Sequence, residues 1–318
     1  MKKDNAVNQV NLTILCTDAD QYKDLIEAEK FPHVNIVQSA THVNEVDTEK
    51  VACLLASPDM AAEILDECPH LQWCQSTWAG NAPLLDHPRR NYWLTGVKGV
   101  FGQQMREYVF TYLLHFSRNV ELFKQQQHTQ TWQPLHYDYI AGKTLGVLGA
   151  GSIARSLISP ALAFDMRVIG LNSSGQSVPG FDQIFSAEQK EHFARECDFV
   201  LNLLPDTTAT QNFIDSQFLA ALPSHAVLIN AGRGSAIEEK SLLRGLDANH
   251  LRAAVLDVFR EEPLPHDHLF WHHPKIIITQ HTAAESRPQD IVTLFLDNAE
   301  RYVAGRPLRF QFDFEKGY

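Results

Sequence analysis

Apolar segments of strand length alternate with polar, helix-like stretches over the first hundred residues of the chain. The predicted strands are 10–16, 34–38, 51–56, 71–76 and 92–95. Segments 20–29 and 58–68, which lie between them, have the composition of helices. Short strands that alternate with helices are typical of a parallel sheet covered on both faces. Residues 1–101 are therefore predicted to form one α/β domain.

A long amphipathic helix is predicted over 103–126. Its apolar residues recur at intervals of three, four and seven positions, which places them on one stripe. The members of this stripe are Met105, Val109, Tyr112, Leu113, Phe116, Val120 and Phe123. Such a stripe must be covered, either by the core of the same chain or by a second subunit, and the sequence leaves both alternatives open.

A second alternating series begins at Gly142. Its predicted strands are 144–148, 166–171, 199–203, 226–230, 253–258 and 275–279, and its predicted helices are 152–163, 187–195, 216–221 and 238–247. About six strands with helical crossovers are typical of a doubly wound dinucleotide-binding domain, which is assigned to 102–285. The last predicted helix, 289–303, follows this complete unit. Residues 286–318 are therefore predicted to pack back on the first domain.

Composition and charge narrow the possible partners and the compartment. A length of 318 residues fits two domains of roughly 150 residues each. The net charge of −11 argues against nucleic-acid and anionic membrane partners. Asp4, Asn5 and Asn8 interrupt the start of the chain where a signal peptide would be apolar. The five cysteines are scattered without a Cys-x-x-Cys pair, which favours buried thiols and a cytoplasmic location.

A glycine fingerprint, Gly149-x-Gly151-x-x-Ala154, follows the predicted strand 144–148. Gly149 permits a tight turn, Gly151 permits close approach of a pyrophosphate, and Ala154 is small enough for helix–strand packing. The helix that starts here would direct its N-terminal N–H groups towards the phosphates. The position of this motif in a strand–helix series predicts a nicotinamide dinucleotide site.

The end of the next strand bears on which dinucleotide is bound. NAD sites usually have an acidic residue about 20 residues after the glycines, where it holds the ribose hydroxyls. Here Asn172 lies 21 positions after Gly151, and Ser173 and Ser174 follow it. Amides and hydroxyls can donate to a 2′-phosphate, which a carboxylate would repel, so NADP(H) is favoured over NAD(H). No arginine between 168 and 182 is available to clamp that phosphate.

Three polar groups follow separate predicted strands of the second domain. They are Arg233 between two glycines, an acidic run with Asp257 and Glu262, and His281 after the last strand. Taken singly, each is an ordinary surface residue. Because the carboxyl ends of parallel strands meet at one sheet edge, the three groups are predicted to converge where open α/β sheets bind ligands. A cation, a proton donor and a neighbouring carboxylate are what reduction of a 2-keto acid requires.

Several motifs together carry a family resemblance. From about residue 70 to the C-terminus the chain contains, in order, GVLGAGSIA, LLPDTTATQNFI, INAGRGSAIEE, LDVFREEPLP, ITQHTAAESRP and a final EKGY. In these motifs it resembles the D-isomer-specific 2-hydroxyacid dehydrogenases, and most of all their glyoxylate/hydroxypyruvate reductase branch. The resemblance implies a flavodoxin-like substrate domain, a Rossmann cofactor domain and a site in the cleft between them.

The resemblance also implies roles for individual residues. Arg233 would bind the carboxylate and carbonyl oxygen of the substrate, and His281 would be the general acid in reduction. Glu262 would hydrogen-bond His281 and favour its imidazolium form. Asp257 would hold the nicotinamide carboxamide. Further cofactor contacts are implied at Gly149, Gly151, Ser152, Ile153, Asn172, Ser173, Ser174, Leu204, Pro205, Ala231 and His281.

The first domain and the interdomain segment contribute further candidates by the same resemblance. The loop with Trp78, Ala79 and Gly80 would take the substrate carboxylate on backbone N–H groups. Trp78 is bulkier than its counterpart in many relatives and would restrict the pocket to small acids. Arg287 is a candidate second anion contact. Trp132 corresponds to an aromatic position that reaches the partner's active site in related reductases. The alternative is that Trp132 only packs in a subunit interface.

Two departures and one cluster complete the sequence-based predictions. The family usually has proline where this chain has Gln280, and we expect this change to have a small effect. Related formate dehydrogenases carry glutamine at the position of Glu262, so the glutamate argues against that activity. A group of histidines after Pro265 could suggest a metal site, but hydride transfer from a nicotinamide requires no metal, and none is predicted. The group comprises His266, His268, His272 and His273.

The sequence thus predicts an NAD(P)-dependent oxidoreductase of small 2-keto or 2-hydroxy acids, acting as a homodimer. Two alternatives stay open. One is a phosphoglycerate-type dehydrogenase, although a phosphorylated substrate would need more cations than Arg233 and Arg287. The other is a cofactor-sensing binding protein of the same fold, such as the C-terminal-binding corepressors, which keep similar catalytic residues.

Overall fold

The computed structural model describes residues 9–315. It divides into two compact units, one formed by Met1–Val100 with Ser286–Tyr318 and the other by Phe101–Glu285. Two interpretations fall outside the described residues. These are the polar start with Asp4, Asn5 and Asn8, and the final residues of the EKGY motif after Glu315.

Both units are built from parallel strands connected by helices. The strands are β1 Val10–Leu15, β2 Val34–Ala40, β3 Cys53–Ala56, β4 Trp73–Ser76, β5 Trp93–Thr95, β6 Thr144–Leu148, β7 Arg167–Leu171, β8 Gln183–Phe185, β9 Phe199–Asn202, β10 Val227–Asn230, β11 Ala253–Leu256 and β12 Ile276–Ile278. The helices are α1 Ala19–Ala28, α2 Pro58–Ile64, α3 Ala82–Asp86, α4 Gly102–Ser117, α5 Val120–His128, α6 Ser152–Ser156, α7 Ile158–Ala163, α8 Lys190–Arg195, α9 Ser216–Ala221, α10 Glu239–Asp247 and α11 Pro288–Val303.

The first unit contains a five-stranded parallel sheet in the order β2-β1-β3-β4-β5. This is the flavodoxin-like order. Every residue of β3 and β4 is buried, as expected for central strands covered on both faces. The last helix belongs to this unit, where α11 packs against α1. The ring of Phe295 on α11 stacks on the buried Trp73 of β4 at a centroid distance of 5.3 Å.

The second unit contains a seven-stranded parallel sheet in the order β12-β11-β10-β9-β6-β7-β8. Counted from β6, this is the order 3-2-1-4-5-6 of a Rossmann domain with one more strand added at the edge. The sequence analysis predicted about six strands and missed β8. This strand has only three residues and lies at the edge beside β7, so its apolar pattern is too short to be recognised.

The prediction of a single helix over 103–126 is wrong, because the structure has two helices there, α4 and α5, with a break between them. Asn119 adopts a left-handed conformation with φ of +51°, which ends the helical path. The guanidinium of Arg252 donates to the carbonyl oxygen of Phe116 at 3.0 Å and to the side-chain oxygen of Asn119 at 3.1 Å. The carbonyl group of Phe116 near the end of α4 is thus satisfied by a residue far away in sequence.

The single helix predicted over 152–163 is also wrong, since α6 and α7 are separate. Pro160 has no N–H group to donate to the carbonyl oxygen of Ser156, so the helical hydrogen-bond ladder is interrupted there. Short α6 therefore ends at Ser156, two residues after Ala154 of the glycine fingerprint.

The cysteines agree with the expectation of buried thiols. All five are buried and unpaired. Burial raises the pKa of the Cys74 thiol to about 12, which keeps it protonated and unreactive. Within residues 9–315, none of the helices combines the length and the apolar character needed to cross a bilayer.

Candidate active site

The glycine turn follows β6, the first strand of the seven-stranded sheet. Gly149 has φ of +94°, and a Cβ there would lie 3.0 Å from the carbonyl oxygen of Leu203. A Cβ on Gly151 would meet no described atom within 4 Å, so the backbone can be approached at this point. Ala154 is fully buried in the core beside the turn. This combination of a tight turn, an open approach and a small helix residue fits a dinucleotide pyrophosphate.

The other predicted cofactor contacts lie after strands of the same sheet. Ser152 and Ile153 begin α6, whereas the residues that follow β9 and β10 are Leu204, Pro205 and Ala231. Since all strands of the sheet are parallel, these residues share its carboxyl edge with the glycine turn.

The loop after β7 is organised by Asn172. Its side-chain oxygen accepts hydrogen bonds from the N–H groups of Ser174 at 3.1 Å and Gly175 at 2.7 Å. Its side-chain nitrogen donates to the carbonyl oxygen of Gln176 at 3.0 Å. Both polar atoms of the Asn172 side-chain amide therefore form hydrogen bonds within the loop. Ser173 is exposed, and its hydroxyl has no protein partner in the described part of the chain.

Arg233 lies in a rigid turn after β10. A Cβ on Gly234 would come within 1.9 Å of the carbonyl carbon of Phe259, and a Cβ on Gly232 within 2.9 Å of the carbonyl oxygen of Leu204. Only glycine fits on either side of the arginine. The guanidinium is half-buried and donates to the carbonyl oxygen of Gly232 at 2.6 Å, and it forms no ion pair with any carboxylate in residues 9–315. Its charge is thus available to an anion.

A buried asparagine pair supports this turn, and sequence reasoning missed it. Asn202 and Asn230 are fully buried at the ends of β9 and β10, where the amide nitrogen of Asn202 donates to the amide oxygen of Asn230 at 2.8 Å. The amide nitrogen of Asn230 in turn donates to the carbonyl oxygen of Arg233 at 3.1 Å. The signal in the sequence was a polar residue that closes each apolar strand.

Arg260 is a second residue that sequence reasoning missed, although it lies within the motif LDVFREEPLP. Its guanidinium donates to the carbonyl oxygens of Ser235, at 3.0 Å, and of Ile237, and to the side-chain oxygen of Asn212. It thereby joins the loop that carries Glu262 to the turn that carries Arg233.

His281 and Glu262 form a close pair. The Nδ1 atom of His281 lies 2.6 Å from Oε2 of Glu262, and Oε1 of Glu262 accepts from the N–H of Phe259 at 2.8 Å. An ionised carboxylate can only accept, so Nδ1 donates and Nε2 is the atom that can exchange a proton with a ligand. The imidazole is about half exposed. The side chain to which the resemblance assigns proton transfer therefore touches the carboxylate that the resemblance places beside it.

Asp257 organises the turn that carries His281. Its carboxylate is buried and accepts from the hydroxyl of Thr279 at 2.6 Å, from the N–H of Thr282 at 2.8 Å and from the N–H of Ala283 at 3.1 Å. Its carbonyl oxygen accepts from the N–H of His281 at 2.6 Å. These contacts give Asp257 a structural function beside the cofactor contact that the resemblance implies.

Gln280 requires a correction of the sequence-based expectation. Gln280 and His281 both adopt left-handed conformations, with φ of +56° and +58°. Proline is confined to φ near −65° and cannot adopt this turn. Replacement of the family's proline is therefore not a minor change in stiffness, since glutamine permits a backbone conformation that proline forbids.

We therefore expect Gln280→Pro to displace His281 from Glu262. A shift of about 1 Å in a catalytic group can lower a rate about a hundredfold, so we expect kcat to fall at least about tenfold. Gln280→Gly is the matched control, because glycine adopts positive φ readily. Steady-state kinetics of both variants check this. A proline variant with wild-type kcat would contradict the left-handed turn.

A cavity of about 560 Å³ adjoins the His281 and Glu262 pair. Its lining includes Phe259, Leu264, Trp271 and Ile278. Small-molecule sites commonly have this size and a mainly apolar lining with few polar groups.

In the first unit, the loop after β4 presents free backbone donors. The N–H of Trp78 donates to the hydroxyl of Ser76 at 3.1 Å, and the side chain of Asn81 donates to the carbonyl oxygen of Trp78 at 3.3 Å. The N–H groups of Ala79 and Gly80 have no acceptor among residues 9–315. Of the three predicted donors, the last two are therefore available to an anion, while the indole of Trp78 is exposed.

Arg287 is already paired. Its guanidinium contacts the carboxylate of Asp290 at 2.7 and 2.8 Å at the start of α11. This pairing reduces the charge that Arg287 can offer to a substrate.

Two of the four histidines after Pro265 lie beside different carboxylates. His268 lies 3.6 Å from a carboxylate oxygen of Glu239, and His273 lies 3.4 Å from one of Asp247. No group of three potential metal ligands is brought together in residues 9–315.

Comparison with known proteins identifies the family. Residues 110–283 match the sequence profile of the D-isomer specific 2-hydroxyacid dehydrogenase, NAD binding domain. The chain belongs to the D-isomer specific 2-hydroxyacid dehydrogenase family. It is accordingly an NAD(P)-dependent oxidoreductase of small 2-keto and 2-hydroxy acids.

Three members of the family illustrate the similarity. Glyoxylate/hydroxypyruvate reductase A of Serratia proteamaculans is 36% identical over 216 residues, which cover 68% of this chain and 69% of that protein. A family member from Aeromonas salmonicida has a TM-score of 0.90 at 37% identity, covering 96% of this chain and 99% of its own. An NADPH-dependent glyoxylate/hydroxypyruvate reductase from Sinorhizobium meliloti, solved with NADP and sulfate, has a TM-score of 0.85 at 25% identity, covering 97% of this chain and all of its own.

Proposed function

We propose that this dehydrogenase reduces glyoxylate, hydroxypyruvate or a 2-keto acid of similar size, with NADPH as the preferred cofactor. The observation that carries the proposal is the 2.6 Å contact between His281 and Glu262, on the same sheet edge as Arg233, which has no carboxylate partner within residues 9–315. The names of the relatives from Serratia and Sinorhizobium support the choice of substrates.

The proposed mechanism assigns one task to each group. Arg233 binds the substrate carboxylate and polarises the keto oxygen, where negative charge develops. His281 donates its Nε2 proton to that oxygen while Glu262 stabilises the imidazolium form. The bound dinucleotide supplies the hydride. In the first unit, the N–H groups of Ala79 and Gly80 are proposed as donors to an anion, and Trp78 beside them as the residue that restricts its size.

The preference for NADPH rests on the loop after β7. Neither Asn172 nor its two following serines carries negative charge, so a 2′-phosphate meets no repulsion from them. The exposed hydroxyl of Ser173 is free to donate to it. The relative from Sinorhizobium was solved with NADP.

Absorbance at 340 nm tests the proposal directly. The protein is mixed with a panel of 2-keto acids, once with NADPH and once with NADH. We expect oxidation with glyoxylate and hydroxypyruvate, faster with NADPH. Faster oxidation of NADH would refute the cofactor preference, and oxidation with larger acids only would refute the substrate class. Tight cofactor binding without any oxidation would instead favour a cofactor sensor.

We also propose that the protein is a homodimer in the cytoplasm. The α5 helix has no buried residue, and Val120, Leu122 and Phe123 expose 47%, 46% and 42% of their surface. Trp132, in the segment after α5, is 96% exposed. Such a concentration of exposed apolar groups is typical of an interaction site. The five buried, unpaired thiols support a reducing compartment.

Light scattering at micromolar protein is expected to give twice the mass of the chain. The double variant Leu122→Glu with Phe123→Glu should give the monomer mass, because two charges would be buried in the interface. Leu269→Glu, at a 68% exposed position elsewhere, is the control and should stay dimeric. A monomeric wild-type protein would refute the dimer.

A further inference from the structure

A series of hydrogen bonds leads from α4 to the turn that contains Gln280 and His281. The hydroxyl of Tyr108 on α4 lies 2.8 Å from the hydroxyl oxygen of Thr279, and Thr279 lies 2.6 Å from Oδ1 of Asp257. The carboxylate of Asp257 can only accept, so the single hydroxyl proton of Thr279 points to it. Thr279 must therefore accept from Tyr108, which fixes the direction of the chain from the helix to the carboxylate.

The tyrosine is suited to be a permanent donor. Its side chain is half-buried, and burial raises its pKa well above the ordinary value for a phenol. The hydroxyl therefore keeps its proton over the whole range in which such an enzyme works. Its ring contacts Tyr112 one turn further along α4, edge to face at a centroid distance of 5.0 Å.

This series of hydrogen bonds ends at a turn whose backbone conformation must be stabilised by its surroundings. Gln280 and His281 are consecutive left-handed residues, a conformation that is unfavourable for any residue with a side chain. Asp257 compensates by accepting from residues on both sides of the two, namely Thr279 before them and Thr282 after them. The position of Thr279 thus decides how the carboxylate and the turn are aligned.

We propose that Tyr108 is a positioning residue for the general acid. Through Thr279 and Asp257 it holds the left-handed turn in which His281 meets Glu262, without touching substrate. This inference rests on the proposed function, because it assigns the turn a part in proton transfer.

Tyr108→Phe removes the hydroxyl and leaves the ring in place. The loss of one net hydrogen bond of about 0.5–1.5 kcal/mol corresponds to a fall in kcat of about two- to twelvefold. We expect KM for the keto acid to change less than kcat, because the substrate-binding groups are not altered. Tyr112→Phe on the same helix is the matched control, since the hydroxyl of Tyr112 has no hydrogen bond within the described residues, and its kcat should stay at the wild-type value.

Thr279 provides the second comparison. Thr279→Val should lower kcat at least as much as Tyr108→Phe, whereas Thr279→Ser keeps the hydroxyl and should recover most of the loss. In the double variant Tyr108→Phe with Thr279→Val, the tyrosine change should add little, because the chain is already broken. Full additivity of the two losses, or an equal loss in Tyr112→Phe, would overturn the proposal.

Amide hydrogen exchange provides a readout that does not depend on turnover. Thr282 and Ala283 donate their N–H groups to Asp257, so their exchange should be about three- to tenfold faster in Tyr108→Phe than in the wild type. Unchanged exchange would overturn the positioning role even if the wild-type enzyme is active. Inactive wild-type protein with faster exchange in the variant would overturn the proposed function and leave the positioning of the turn standing.

Discussion

Replacing His281 with alanine should lower kcat about a hundredfold to ten-thousandfold, which is the usual contribution of a general acid. The variant loses the Nε2 proton donor, whereas the glycine turn after β6 is unchanged. Because the other implied contacts of the dinucleotide remain, we expect its dissociation constant, measured by its fluorescence, to stay close to the wild-type value even though the contact implied at His281 is lost. Glu262→Gln should lower kcat less, because the amide can still accept from Nδ1 but does not stabilise the imidazolium charge.

The control for this prediction is His273→Ala. His273 is paired with Asp247 rather than with Glu262, and we expect its removal to leave kcat unchanged. An alanine variant of His281 with near-wild-type kcat would exclude it as the general acid.

Replacing Arg233 with alanine should lower kcat about a hundredfold to a thousandfold, the range found when one donor to a developing oxyanion is removed. KM for the keto acid should rise as well, because the same guanidinium is proposed to bind the carboxylate. Arg233→Lys should lie between the wild type and the alanine variant, since an ammonium group keeps the charge but not the planar fork. Stopped-flow or steady-state absorbance at 340 nm measures all three.

Arg195→Ala is the matched control. Arg195 is exposed on α8 and paired with Glu191, and its removal changes the net charge by the same amount. Equal losses in Arg195→Ala and Arg233→Ala would mean that long-range charge, rather than a contact with the substrate, explains the effect.

Much of the secondary structure could be predicted because its signal is local. The strand from Thr144 to Leu148 and the helix from Ser216 to Ala221 were predicted with the observed bounds. Alternation of apolar and polar residues, together with glycines between elements, depends only on neighbours along the chain. The helix breaks at Asn119 and Pro160 were missed, although proline and a left-handed asparagine are themselves local signals.

The candidate site also combines features that could be predicted from the sequence with features that could not. Parallel strands with short loops place Arg233, Glu262 and His281 at one sheet edge, and this could be predicted because the order of the motifs implies the topology. The left-handed turn at Gln280 could not be predicted, because glutamine rarely adopts positive φ and nothing next to it in sequence requires it.

The sequence by itself determined the two parallel sheets, the dinucleotide fingerprint and the family to which the chain belongs. Only the tertiary structure decided which polar groups are paired with other groups of the protein and which are available to a ligand. Arg287 is paired with Asp290 while Arg233 has no carboxylate partner among the described residues, and Asn202 is joined to Asn230. Tyr108 meets Thr279 across 171 positions of sequence. Such contacts depend on how distant segments pack, and packing is a property of the folded chain rather than of any short stretch of it.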